Sequence, residues 1–271
     1  MPGIVTRNAD ELDWPEFDLA FYEVKDVTGR RAEPMPEGIS MISCFGDSAE
    51  AESNPSLVPV GEDGERATRE RTYFDWSYVC PTRPEYRREL LDLIERATAV
   101  NRDVRLDDVG FPRPEYCHCD TCNAAFADSD HDDRFEWRAS VITDFVGAAA
   151  ERIPDRVYMT LYPDPYPGHL YERAGIDVEA LSASVDEFVV PLYDLEYSTT
   201  YWLEVIASGF ETLLETPFSV ELYAVHVETG NLVHATEVAA EYANTVLYAY
   251  EAGNAREVIE QMNEGDGVEG Q

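Results

Sequence analysis

Short apolar runs alternate with amphipathic stripes along most of this chain. Runs rich in β-branched and aromatic residues predict strands at Phe17 to Val24, Ile39 to Phe45, Tyr73 to Val79 and Val104 to Val109. Four more follow at Val157 to Tyr162, Phe188 to Tyr193, Phe218 to Val225 and Thr245 to Tyr250. Several are apolar almost without interruption, as strands of a parallel sheet covered on both faces should be. Between the later strands the period changes to that of a helix. Tyr86, Leu90, Ile94 and Ala97 share one face behind a first-turn Pro84. Phe135, Val141, Ile142, Phe145 and Ala149 form the next stripe, and a shorter helix is expected over Asp177 to Ala183. Trp202, Val205, Ile206, Phe210 and Leu213 form another, with helices at Thr236 to Ala243 and Ala255 to Met262 to follow. About eight strands alternating with helices in this length predict a (β/α)8 TIM-type barrel. A doubly wound open sheet is the alternative. The first third is irregular: Lys25 to Gly38 and Gly46 to Arg71 carry no helical stripe, so one or two outer helices should be missing there. Residues 1–262 are expected to form a single barrel domain, with 263–271 a polar, Gly-rich, disordered tail.

Charge adds a second layer. The 271 residues include 55 acidic and 20 basic ones, for a formal net charge of −35, and Lys25 is the only lysine. Acids are spread through segments that also carry apolar periodicity, so they belong to a solvated surface rather than to a tail. Self-repulsion of this size opposes a compact state at low salt, and a Debye length of ~3 Å at molar salt removes most of it. The composition resembles that of proteins from halophilic archaea. It argues against nucleic acid as a partner, because a phosphate backbone needs clustered Lys and Arg. No apolar run approaches the ~20 residues that span a bilayer, and the N-terminus lacks the apolar core of a signal peptide. A cytoplasmic location without a membrane partner is therefore expected. Oligomeric state is not legible.

Four of the five cysteines form one pattern, Cys80 followed by Cys117, Cys119 and Cys122. A C-x-C-x-x-C turn with a remote fourth thiol suits tetrahedral zinc. A closed all-sulfur shell has no open coordination position, so such a zinc would be structural, one per chain. The alternatives are buried thiols or a disulfide. Cys44 reads as a buried strand thiol.

The segment Cys80-Pro81-Thr82-Arg83-Pro84-Glu85-Tyr86-Arg87 resembles the helix opening of a group of barrel glycoside hydrolases and their uncharacterised relatives. Two further stretches resemble theirs: the Asp then Phe-Pro turn at Leu106-Asp107-Asp108-Val109-Gly110-Phe111-Pro112, and the cysteine turn running on to Phe126. Glu23-Val24-Lys25-Asp26 is similar to the end of their first strand, and Val189-Val190-Pro191-Leu192-Tyr193-Asp194 to their sixth-strand motif. The similarity is good over residues 70 to 126 and loose elsewhere. The cysteine turn also resembles the zinc site of family 42 β-galactosidases. The resemblance implies a saccharide substrate and a site at the C-terminal face of the barrel.

Glycoside cleavage needs two carboxyl groups, one a nucleophile or base and one a proton donor. Asp107, ending the fourth predicted strand, is the candidate nucleophile, and Asp194, ending the sixth, the candidate acid. This pairing resembles that of α-galactosidase and α-glucosidase barrels. Strand alternation predicts that only one of Asp107 and Asp108 faces the axis. Glu221, alone inside an apolar strand, is either an alternative acid or the structural partner of Arg105. Lys25 in a barrel mouth, Arg105, Asp108, Tyr162, Asp164, Tyr193 and Glu251 complete the candidate substrate-binding set. Tyr162 and Tyr193 offer the aromatic face and polar tip that suit sugar rings. The competing expectation is a barrel that binds a saccharide or another partner without chemistry.

Overall fold

A computed structural model of the chain describes residues 1–269, with side chains described through Glu264. Eight parallel strands close in sequence order into one barrel. They are β1 (Pro2–Thr6), β2 (Leu19–Lys25), β3 (Ile39–Ser43), β4 (Val104–Asp107), β5 (Val157–Thr160), β6 (Glu187–Pro191), β7 (Phe218–Tyr223) and β8 (Thr245–Ala249). The (β/α)8 expectation holds.

One strand was misplaced by the periodicity. Residues 73–79 form no strand; Tyr78 makes a single bridge to Gly46, and Phe74, Tyr78 and Val79 bury their side chains as a loop pad. Aromatic β-propensity reflects fit to a half-buried surface, and here a loop supplies that surface. The missing strand is β1, whose Gly3-Ile4-Val5-Thr6 run is short but pairs with β2 and β8. Losing one strand and gaining another earlier leaves β4, β6 and β7 in their expected ranks.

The outer layer is thin where the stripes are missing. Among the described residues only a 3-10 turn, Ala9–Glu11, lies between β1 and β2, and no helix lies between β2 and β3. Helices then follow in order: α1 (Ser48–Ser53), α2 (Pro84–Thr98), α3 (Asp120–Ala127), α4 (Arg134–Ala150), α5 (His169–Ala174), α6 (Val178–Leu181), α7 (Tyr201–Leu213), α8 (Thr229–Ala240) and α9 (Ala252–Glu269). The stripes found α2, α4, α6 and α7 closely. They began α8 seven residues late and α9 three residues late, and missed the short α1, α3 and α5. The first turn of α8 is anchored by a carboxylate, with Glu228 accepting from the Asn231 N–H. The expected tail at 263–271 falls partly on α9, and 270–271 lie outside the described residues.

Alternation along the strands divides the core in two. Outward residues meet the helices in one large apolar layer. Inward residues Val5, Phe21, Met41, Tyr158, Val189 and Leu247 plug the barrel's middle. Below this plug Glu187 is bound by Arg156 at 2.7 Å and by the hydroxyl of Ser219. Above it lie Arg105 and Glu221, and over them an open mouth.

Candidate active site

The mouth is a cleft of about 420 Å³ at the C-terminal ends of the strands. In this fold that end is where β–α loops gather functional groups on a rigid frame. Residues from β2, β4, β5, β6 and β7 line it, joined by Arg7 and Tyr250 just past β1 and β8 and by Asp75 and Trp76 from the β3–α2 loop.

Its floor is a closed ion pair. Arg105 and Glu221 are both almost fully buried and bonded through Nη1 and Oε2, and Tyr193 donates its hydroxyl to the other Glu221 oxygen. Arg105 also donates through Nε to Thr160 Oγ1 at 3.0 Å and lies over the Phe21 ring. Burial alone would lower the Arg105 pKa, but the charges of Glu221 and Asp107 outweigh it and raise it. Glu221 is thus the partner of Arg105, one of the two roles its sequence position allowed. Enclosure of its hydroxyl end, followed by Glu221 and Tyr250, holds the Tyr193 hydroxyl protonated well above the usual phenol range, although the residue as a whole is 44% exposed.

A second wall repeats this motif. Glu23 is buried and receives Arg7, Arg30 Nη2 at 3.4 Å and the Tyr250 hydroxyl at 3.3 Å. Arg7 also covers the Tyr250 ring at 5.0 Å. Both glutamates are consumed by arginines.

The aspartates at the end of β4 differ. Among the described residues Asp107 makes no ion pair, and its side chain accepts only the Asp108 N–H, at 3.1 Å. Asp108 has φ 48°, so the chain leaves the strand there through the left-handed region. That turn breaks the alternation, and both side chains line the cleft; the expectation that only one could do so is corrected. Asp108 Oδ2 is buried and has no hydrogen-bond partner. Burial and the neighbouring Asp107 charge push the Asp108 carboxyl up to about 8.

Other expected site residues lie elsewhere. Asp194 caps its own loop, accepting the Glu196 and Tyr197 N–H groups at 2.8 and 3.1 Å, and does not reach the cleft. Asp164 caps a turn at Tyr166 and pairs with His169 at 2.9 Å. Glu251 accepts the His226 N–H at 2.8 Å. Each acid stabilises a loop behind the strand ends, a role that short carboxylates commonly take. Lys25 is fully buried outside the cleft, with Nζ 2.8 Å from the Ser43 carbonyl, 3.1 Å from that of Gly46 and 3.1 Å from Asp47 Oδ2. Tyr162 and Tyr193 do line the cleft.

Sequence reasoning missed Glu23, Arg7, Asp75, Trp76 and Tyr250. Glu23 carried the same signal as Glu221, a lone carboxylate in the apolar run Phe21-Tyr22-Glu23-Val24. Arg7 was hidden because its strand was hidden.

Beside the cleft the four cysteines Cys80, Cys117, Cys119 and Cys122 are buried, with every sulfur within 4.8 Å of the others. A tetrahedral ion with metal–sulfur distances of ~2.3 Å needs sulfurs ~3.8 Å apart, so the set fits a metal. Donors already point at the sulfurs. Val60 N–H reaches Cys117 Sγ at 3.3 Å, Cys119 N–H the same sulfur at 3.4 Å, and Arg83 Nη2 Cys119 Sγ at 3.4 Å. Such donors stabilise thiolates, as outer-shell partners of metal ligands do. Cys80 ends the β3–α2 loop rather than a strand. The four sulfurs bring that loop together with the segment between β4 and α3 and the first turn of α3.

No family model matches the chain, and no curated protein does. Among solved structures it is similar to α-L-fucosidase isoenzyme 2 from Paenibacillus thiaminolyticus, with TM-score 0.64 and 12% identity over 95% of this chain and 47% of that one. It is also similar to the GH20 exo-β-N-acetylglucosaminidase of Vibrio harveyi in complex with N-acetylglucosamine, with TM-score 0.53 and 7% identity over 92% of this chain and 50% of that one. The chain thus spans about half the length of these structures. The likeness is one of fold, and the fold is the (β/α)8 barrel found in glycoside hydrolases.

Proposed function

We propose that the cleft binds a saccharide and hydrolyses or transfers a glycosidic bond, with Asp107 as nucleophile or base and Asp108 as proton donor. One observation carries this reading: two carboxyl groups at one strand end, in an open cleft, one of them with a buried oxygen that has no donor. Asp107 is half-buried and, among the described residues, makes no ion pair, while Asp108 has a buried, unpartnered oxygen and a pKa raised to about 8. A carboxyl that burial keeps protonated can donate a proton while a second carboxyl beside it acts as nucleophile or base. Arg105, Tyr193 and Glu221 form a rigid floor below them, and Tyr162 and Tyr250 offer ring faces and hydroxyls to a sugar.

Saccharide binding without chemistry is the second reading. It is favoured by the arginine-bound state of Glu221 and Glu23, which leaves no free glutamate on the facing walls. Screening chromogenic glycosides at molar KCl separates the two. Hydrolysis by the wild type that is lost in both Asp107→Asn and Asp108→Asn supports the enzyme. Hydrolysis that survives both substitutions overturns the assignment.

The tetrad would hold one structural zinc, and the acidic surface would suit a salt-rich cytoplasm. Metal analysis should give about one equivalent per chain, falling sharply in Cys119→Ser. Among the described residues no helix is long and apolar enough to cross a membrane.

A further inference from the structure

The cleft has one wall that no strand supplies. Residues 75–76 of the β3–α2 loop reach over the barrel mouth, and Trp76 lines the cleft with an indole Nε1 that is buried and bonded to nothing. An indole N–H is a donor only, and buried donors are normally paired. The flanking residues are tied down on both sides. Ser77 accepts the Asp47 N–H at 3.0 Å and donates its own N–H to Ser48 Oγ at 3.2 Å. Tyr78 bridges to Gly46, packs its ring 5.9 Å from that of Trp76, and sets its hydroxyl 3.4 Å from that of Tyr162. Two residues later the chain enters the cysteine tetrad.

The turn beneath Trp76 has its own anchor. Lys25 holds the carbonyls of Ser43 and Gly46 and the carboxylate of Asp47, which also receives the Tyr86 hydroxyl at 3.0 Å. Gly46 lies directly under the indole; a Cβ there would come within 2.9 Å of Nε1. The only lysine of the chain thus places its ammonium in the turn on which the Trp76 indole rests.

We propose that Trp76 is the ligand-contacting face of this wall, offering its ring to a sugar face while its N–H edge rests on the Gly46 turn. In this proposal its position is set from outside the cleft by the cysteine tetrad and by the buried Lys25–Asp47 pair. The inference rests on the saccharide reading for the identity of the ligand, but not for the coupling of the wall to its anchors.

The test uses the full chain labelled with 5-fluorotryptophan in molar KCl, with the Trp76 resonance assigned by Trp76→Phe. Stripping metal with a chelator should move and broaden the Trp76 signal while Trp14 and Trp202 hold, and re-adding zinc should restore it. Lys25→Met should move the same signal with metal content unchanged; Asp47→Asn serves if that variant does not fold. A Trp76 signal indifferent to both anchors in folded protein overturns the coupling. Titration with D-glucose, D-galactose, L-fucose and N-acetylglucosamine reads the contact. At least one sugar should shift Trp76, and Trp76→Ala should weaken its binding about tenfold. A sugar that binds, by calorimetry, without shifting Trp76 overturns the contact role. Sugars that never bind at all defeat the saccharide reading, and the contact with it, while leaving the coupling of the wall to its anchors standing.

Discussion

The two ends of the barrel solve the same problem differently. At the N-terminal end Glu187 is buried, and every demand it makes is met by Arg156 and Ser219. At the C-terminal end Glu221 and Glu23 are met in the same way by Arg105 and Arg7, but Asp107 and Asp108 beside them are not. In a chain with 55 acids, burial alone does not mark a site. What separates Asp108 from Glu187 and Glu221 is unmet demand: its Oδ2 is shielded from water and given no donor, a state that outside the cleft is shared by Glu16 Oε2. Such groups raise the free energy of the fold and persist where function uses them.

That contrast can be broken at several points. The largest expected effect is on chemistry: Asp107→Asn should lower glycoside turnover by roughly 10³-fold or more, with far-UV circular dichroism unchanged. Next come the two buried pairs. Glu221→Gln strands Arg105 away from water and should cost about 3–5 kcal/mol in denaturant unfolding. Glu187→Gln should cost clearly less, because Arg156 is half exposed and can turn to solvent. Equal losses at both ends would erase the distinction.

Asp108→Asn should act in the opposite direction on the fold. The folded pKa of Asp108 is raised to about 8 from an ordinary aspartate value, so ionisation is disfavoured in the native state. The penalty is absent at acid pH and grows as pH rises from about 4 through 8. The asparagine variant should therefore be more stable at pH 7 by roughly 0.5–2 kcal/mol, and inactive. In the wild type, turnover should fall on the alkaline side with a limb near pH 8, as Asp108 loses the proton it must donate. The smallest effect belongs to Asp194→Asn, which should leave turnover within a factor of two and shift stability by no more than ~0.5 kcal/mol. A large loss of turnover there would restore Asp194 to the mechanism.

Periodicity made the closed barrel legible because later strands and helices alternate cleanly, from Val104 to Met262. It failed in the first third for a physical reason. Pro2–Thr6 is too short to stand out, whereas the aromatic run at 73–79 is hydrophobic because it caps the barrel mouth. That Asp107, Arg105, Tyr162 and Tyr193 line the cleft was legible because strand ends in this architecture gather at one face. Asp194, Asp164 and Glu251 follow strand ends as well, but their carboxylates bind nearby backbone or side-chain groups, a preference that sequence position does not reveal. The Asp107–Asp108 pair could be recognised only once the left-handed turn at Asp108 was seen, because that turn overrides the alternation rule. Cysteine spacing was the most transferable signal: it placed four sulfurs together from residues far apart in the chain.

The burial of Lys25 has a practical consequence for anyone handling the molecule. With the chain's one lysine wholly enclosed, the outer surface presents no side-chain amine at all. Amine-reactive dyes, lysine cross-linkers and reductive methylation will find no lysine to modify on the native fold. Appearance of a labelled Lys25 would then report opening of the turn from Ser43 to Asp47 that encloses it.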